Sequence, residues 1–323
     1  MKKICLSVLV LCVVTMFPGC ENGASQKKLR LAFVANSADE YWAIVRLGCD
    51  YATRQLGDVD LDFRFPDEQT AKAQQDIMSE LVAGGVEGIA ISPIDPETQT
   101  DFVNKIATNT LLVCSDSDAA KSKRVCYIGT DNVAAGEQAG KLLKAALPQG
   151  GKIISFVGYS NAQNTEDRIQ GIQNELAGSN IQIIDTLADG GKSDIAQRNA
   201  EEALAKYPNL AGMVCLNGYQ GPAILTAVRS AGKAPQVKIV CFDYYKETLD
   251  GIAASDIYGT VIQQPLQIGY QTIVRMDKYL HGDKTQLAGE KILIASRVLT
   301  KENIAYFQQE LKNVLNQQQG QYP

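Results

Sequence analysis

The sequence predicts an α/β protein made of two similar, doubly wound parallel-sheet lobes. Three observations predict it. Short apolar runs alternate with helical patterns at regular spacing, as in parallel sheets with helices on both faces. The runs are hydrophobic at consecutive positions, as strands covered on both faces are. The alternation also starts twice over comparable lengths, the second time at Asp131. The clearest run, Lys238-Ile239-Val240-Cys241-Phe242, stops at Asp243. Others end in the same way, Val113-Cys114-Ser115 at Asp116 and Met213-Val214-Cys215-Leu216 at Asn217. In open α/β sheets ligands bind outside the carboxyl ends of the strands. A ring of short polar groups there suits a polyhydroxylated ligand, because hydroxyls need fixed partners.

The elements follow in order. Residues 29–35 read as a strand. Asp39 caps a helix over 40–56, with Trp42, Val45, Cys49, Ala52 and Leu56 at helical spacing. Residues 61–65 alternate as a strand, and a helix over 68–83 closes at Gly84-Gly85. Strand 88–92, the turn Pro93-Ile94-Asp95-Pro96, helix 97–108 and strands 111–115 and 125–128 complete the first series. Asp131-Asn132 opens a helix reaching Leu147, stopped by Pro148-Gln149-Gly150-Gly151. Strand 152–157, helix 164–178, strand 181–186, helix 193–206, strand 211–216, helix 221–231 and strand 238–242 form the second series. The last third reads as strand 258–263, helix 265–280, strand 291–296 and helix 301–316, with a Gln-rich tail over 317–323. These late elements are too few for a domain, so they return to complete each lobe.

With 323 residues the chain has room for two domains, and its net charge of −5 argues against a nucleic-acid partner. Lys2 and Lys3 precede an apolar run over 4–17 of signal-peptide length, and no later run approaches the ~20 residues of a membrane span. The run ends in Phe17-Pro18-Gly19-Cys20, which resembles a lipobox and makes Cys20 the expected lipidation site. Residues 21–28 then form a polar tether. Outside this segment the cysteines are Cys49, Cys114, Cys126, Cys215 and Cys241, with no C-x-x-C pair, so zinc and redox motifs are unsupported. Four of them lie in apolar strands and read as small hydrophobes, with a Cys114–Cys126 bridge as the alternative in an oxidising compartment.

Several motifs fail. Gly190-Gly191-Lys192-Ser193 resembles the end of a phosphate-binding loop, but Thr186 stands where its first glycine is required. Gly158-Tyr159-Ser160 lacks the closing glycine of a nucleophile elbow. Asp116-Ser117-Asp118 has no matching cluster of oxygen ligands, so no metal is expected. His281, the only histidine, sits at a helix end beside Gly282. No catalytic constellation and no cofactor is implied.

Taken together, residues 29–300 resemble the periplasmic sugar-binding proteins of the ribose-binding family. The carrying segments are Asp39-Glu40-Tyr41-Trp42, Ser92-Pro93-Ile94-Asp95-Pro96, Gly129-Thr130-Asp131-Asn132 with Gly136 and Ala139-Gly140, Arg168 with Gly171, Asn217, Cys241-Phe242-Asp243 and Gln263-Gln264-Pro265. The resemblance implies a ligand cleft between two lobes joined by three hinge crossovers, near 131–132, 263–265 and 290–292. It implies lobes of 29–131 plus 264–291 and of 132–263 plus 292–316. By position it puts ligand contacts at Asp39, Tyr41, Trp42, Asp116, Arg168, Asn217, Asp243 and Gln263. Ser117, Gly190 and Gly218 depart from the ribose-binder pattern, which argues against ribose itself.

The residue chemistry fits those roles, and each has a plainer alternative. Tyr41 and Trp42, the preferred stacker, can cover the apolar face of a sugar ring, or staple the helix start to the core. Asp116 and Asp243 can accept hydroxyl protons; for Asp116 a solvated turn is the alternative. Arg168 can donate a fork of bonds, or pair with Glu166 or Asp167. Asn217 and Gln263 both donate and accept, or serve as a helix N-cap and a hinge-strand amide bonded to backbone, and Asn164, one turn before Arg168, is a further candidate. The expected function is capture of a monosaccharide or related polyol by a monomer outside the cytoplasmic membrane, and delivery to the permease of an ABC importer with its cytoplasmic ATPase. The alternatives are a receptor for a sensor kinase or chemotaxis pathway, a binder of a furanosyl signalling molecule, a regulator on the same fold, and an exported sugar-acting enzyme.

Overall fold

The computed structural model describes residues 28–309 and 312. Cys20, the apolar run before it, nearly all of the tether and the tail from 317 lie outside these residues. Two six-stranded sheets have matching orders. The first runs β11 (Lys291–Ile294), β5 (Cys126–Thr130), β4 (Leu111–Ser115), β3 (Gly88–Ile91), β1 (Leu29–Val34), β2 (Val59–Arg64). The second runs β12 (Arg297–Thr300), β10 (Gly259–Ile262), β9 (Lys238–Phe242), β8 (Gly212–Cys215), β6 (Gly151–Val157), β7 (Ile181–Ala188). Every pairing is parallel except β10 with β12.

Each sheet separates two cores. In the first, Leu31 and Phe33 join α1 (Glu40–Leu56) and α9 (Pro265–Leu280) on one face. Ala32 and Val34 join α2 (Ala71–Ala83) and α3 (Pro96–Ile106) on the other. In the second sheet, β6 sends Ile154 and Phe156 toward α6 (Ser193–Lys206), α7 (Gln220–Ser230) and α8 (Lys246–Ala254). Ile153 and Val157 face α4 (Asn132–Ala146) and α5 (Gln163–Leu176). Strand alternation thus divides consecutive apolar residues between opposite faces. The same alternation keeps two thiols apart: Val113, not Cys114, is opposite Cys126, and the two cysteines lie in different cores, both free.

Two helix pairs pack unusually closely, one in each half. A Cβ on Gly48 or Gly269 would collide with the backbone carbonyl oxygen of Leu266 or Val45, between α1 and α9. One on Gly136 or Gly171 would collide with that of Arg168 or Val133, between α4 and α5.

Three expectations change. The strand read over 291–296 ends at Ile294, and a further strand, β12, follows on the other sheet, so the chain passes between the sheets at 295–296 and not at 290–292. The reason is local: β11 is parallel to β5, while the chain reverses its pairing sense to join β10. Helix α8 was not anticipated, since nine residues with Gly251 inside give little periodic signal. The C-terminal helix starts at residue 304, after a turn over 301–303. The three crossovers are tied side by side. Thr130 Oγ1 donates to Gln263 Oε1 at 2.8 Å, and Gln264 Nε2 donates to the carbonyl of Ala295 at 2.6 Å.

Gly171→Ala is expected to lower unfolding free energy by about 1–3 kcal/mol, the usual cost of overpacking. Urea unfolding checks it, and an unchanged midpoint would show that α4 and α5 separate freely.

A polar cavity between the two sheets

β4 and β9 occupy the same position in their sheets, and each is followed directly by an aspartate. Asp116 and Asp243 both have left-handed backbones, with φ of 67° and 58°. Only one other non-glycine residue among those described, Ser255, shares this property. Aspartate tolerates this region better than most residues, and strain of this kind concentrates at functional sites. Each aspartate donates its N–H to the neighbouring strand, Asp116 to Ile128 and Asp243 to Val261. The last ladder bond is thus made before the chain turns away.

The two aspartates line one small polar cavity between the sheets. All nine residues singled out in the sequence line it: Asp39, Tyr41, Trp42, Asp116, Asn164, Arg168, Asn217, Asp243 and Gln263. Asn36, Gly218 and Tyr219 complete the wall. Asn36 stands two residues past the end of β1 and could have been found by the strand-end rule. Tyr219 had no such signal; its hydroxyl donates to the buried Asp189 at 2.5 Å.

The first half contributes a network around Asp116. Tyr41 donates its hydroxyl to Asp116 Oδ1 at 2.9 Å, and Ser92 donates to Oδ2 at 3.0 Å. From the other half, Asn164 Nδ2 lies 3.5 Å from Oδ2. Asp39 caps α1, accepting from the Trp42 N–H, and also accepts from the Ser37 hydroxyl at 3.1 Å. Trp42 is 2 % exposed and packs in the core against Phe33, with its indole N–H bonded to Asn36 at 2.7 Å. It therefore staples the helix start while lining the cavity. Tyr41, half-buried, meets it edge-on.

The second half contributes Arg168, which pairs with neither Glu166 nor Asp167. Its Nε donates to Asn132 Oδ1 at 2.9 Å and its Nη1 to the carbonyl of Leu216 at 2.6 Å. The guanidinium lies 4.6 Å from the centre of the Phe242 ring, a cation–π contact. Its Nη2 is buried without a partner. Gln263 Nε2 donates to both oxygens of Asp243, at 3.2 and 2.9 Å. Asn217 accepts from the Gly158 N–H at 2.9 Å.

Features that failed as motifs lie elsewhere. Asp118 pairs with Arg124 in a buried ion pair, which removes it from any carboxylate pair with Asp116. His281 contacts Asp58 and Asp277 near the end of α9. Gly190 and Gly191 sit in the turn before α6, where Tyr159 donates its hydroxyl to the Gly190 carbonyl at 3.0 Å and to Gln69 Oε1 at 3.1 Å. That last bond joins the two halves beside the cavity.

Burial pushes Asp116 up to about 6, opposed by the Arg168 charge and by the bonds from Tyr41 and Ser92. Burial also raises Asp39 and Asp243.

A family model described as periplasmic binding protein domain matches residues 31–284. The ribose import binding protein of Escherichia coli is 25% identical over 211 residues, 65% of this chain and 71% of that protein. The D-ribose/D-allose-binding protein of Pseudomonas aeruginosa is 23% identical over 251 residues, 73% of this chain and 77% of that protein. A solute-binding protein of an ABC transporter from Burkholderia graminis, solved with D-arabinose, superposes with a TM-score of 0.82 at 25% identity, over 86% of this chain and 97% of that one.

The raised carboxylates carry a pH signature. The folded state holds a proton on Asp116 that the unfolded chain releases between pH 3.8 and about 6. Unfolding free energy of the ligand-free protein therefore contains a part that is present below that window and lost as pH rises through it. Asp116→Asn removes this part, so relative to wild type the variant gains stability between pH 4 and 7, by up to ~3 kcal/mol. Urea unfolding at both pH values checks it; a difference that stays constant would show that Asp116 titrates as an ordinary carboxylate.

Proposed function

This chain belongs to the periplasmic binding protein domain family, and on that premise we propose that it captures a monosaccharide or related polyol. One observation carries the reading: polar side chains from both sheets converge on one cavity at the strand ends, and a buried guanidinium there keeps one arm unpartnered. An unsatisfied buried donor is costly unless something fills its place. A sugar oxygen is a fitting acceptor for Arg168 Nη2, and sugar hydroxyls suit Asp116 and Asp243 as donors.

The mechanism is binding with lobe closure, and no bond is made or broken. In this reading the lobes are 29–131 with 264–294 and 132–263 with the segment from 297, and the crossovers act as the hinge. Closure transmits occupancy only if the ligand contacts both lobes, because a ligand shifts an equilibrium by its differential affinity. Asp116 and Tyr41 on one side and Asp243 and Arg168 on the other meet that requirement. The closed form would be read by the permease of an ABC importer. The apolar run over 4–17 supports export, with anchoring through Cys20 and a monomer as the working unit.

Trp42 is the only tryptophan and lines the cavity, so its emission reports on one place. Titration of the processed chain with pentoses, hexoses, deoxy sugars and polyols is expected to give a saturable change with at least one. Asp243→Asn, which tolerates the left-handed backbone, should weaken that binding about 10- to 100-fold through loss of a charge-assisted acceptor. Silence across the panel with no thermal stabilisation would remove sugars as the ligand class. Product released from a bound sugar would instead mark an enzyme.

A further inference from the structure

The charges around the cavity do not balance. Asp39, Asp116 and Asp243 each bring a carboxylate, and Arg168 is the only cation lining it. The three carboxylates act on one another: the Asp243 charge disfavours ionisation of both Asp39 and Asp116. Arg168 opposes that for Asp116 and Asp243.

Hydrogen-bonding capacity is lopsided in the same direction. The carboxylates already accept from Tyr41, Ser92, Gln263, Ser37 and the Trp42 N–H. Asp39 Oδ1 and Oδ2, Asp116 Oδ1 and Asp243 Oδ2 each meet one of these donors and have room for a second, whereas Asp116 Oδ2 and Asp243 Oδ1 already meet two. Among the lining residues, the donors not fully committed are the Arg168 guanidinium and the side-chain amides of Asn164 and Asn217. The Arg168 Nη2, on a side chain only 2 % exposed, is buried and unpartnered, and Asn164 Nδ2 makes only a 3.5 Å contact. The site thus offers three carboxylates, one cationic donor and excess negative charge. A matching ligand presents hydrogen-bond donors and a positive charge.

Resting on the sugar-binding reading above, we infer that the cavity selects a polyol bearing a protonated amine, an amino sugar or imino sugar, over its neutral parent. It rejects the corresponding uronic acid. An ammonium among buried carboxylates makes charge-assisted bonds and lowers their mutual repulsion. A ligand carboxylate would add a fourth negative charge away from water, with one guanidinium arm to meet it.

The test is calorimetric titration of the processed chain, residues 21–323, at pH 7.5. The probes are matched sets in the gluco, galacto and manno series: the neutral sugar, its 2-amino-2-deoxy form, its uronic acid and a corresponding imino sugar. Neutral pentoses and polyols are run beside them. At least one amine is expected to bind 10-fold or more tighter than its neutral parent, with no uronate bound. In Asp39→Asn that advantage should shrink toward parity. Asparagine caps a helix as well as aspartate does, so α1 keeps its start, and thermal melting confirms the fold. A uronate that binds, a neutral parent equal to its amine, or a neutral pentose bound when no amine is, overturns the inference and leaves sugar capture standing. An amine advantage undiminished in Asp39→Asn overturns the charge argument. No binding by any probe overturns the inference together with sugar capture.

Discussion

The buried guanidinium of Arg168 is the group on which the cavity depends. It is held at three places: by Asn132 at the first crossover, by the carbonyl of Leu216 just past β8, and by the face of Phe242 at the end of β9. A buried cation is tolerable only when its bonds are largely satisfied and its charge is matched. Here the matching charges are Asp116 and Asp243, one from each half of the molecule. Its position depends in turn on two glycines. Gly136 lets α4 rest on the Arg168 carbonyl, and Gly171 lets α5 approach the Val133 carbonyl. Small residues on two helices therefore fix where a charge sits in the cleft.

The two halves solve one backbone problem in the same way. An apolar strand must end, and its last residue must turn a carboxylate toward the other sheet. A left-handed aspartate does this at both Asp116 and Asp243, after a final N–H bond to the adjacent strand. The partners then differ. Asp116 is bound by hydroxyls, Tyr41 and Ser92, whereas Asp243 is bound by the amide of Gln263. The cavity is two-fold in its backbone and asymmetric in its chemistry, as a ligand without symmetry requires.

Much of this was legible in the sequence because the signals were local. Lys238–Phe242 was bounded by its continuous apolar run and α1 by helical spacing, and the helices read over 193–206 and 265–280 have the bounds of α6 and α9. The strand-end rule gathered Asp116, Asn217 and Asp243, which the fold does bring to one cavity. What was hidden is non-local or conformational. No pattern in Lys291–Thr300 reveals that its two strands go to different sheets, since both are short and half-buried at an edge. Helix α8 is held by Leu249 and Ile252 against the second sheet more than by its own propensity. Trp42 carried two readings in the sequence, and packing against Phe33 gives it the core position without removing it from the cavity wall. The left-handed backbones of the two aspartates leave no mark on composition at all.

The placement of β11 and β12 bears on how the chain is made. Each sheet takes an edge strand from the last part of the sequence, and the two strands are separated by only residues 295 and 296. The α9 helix that covers the first sheet also arrives late, after the whole second series. During synthesis, then, neither half can close when its first five strands emerge. The early half waits without its α9 cover through more than a hundred residues of its neighbour. Domains usually fold as units in order of emergence. Here both halves receive their sixth strand within the ten residues from Lys291 to Thr300. The contacts that complete both halves are therefore of long range, and they form only once the stretch from Lys291 to Thr300 has been made.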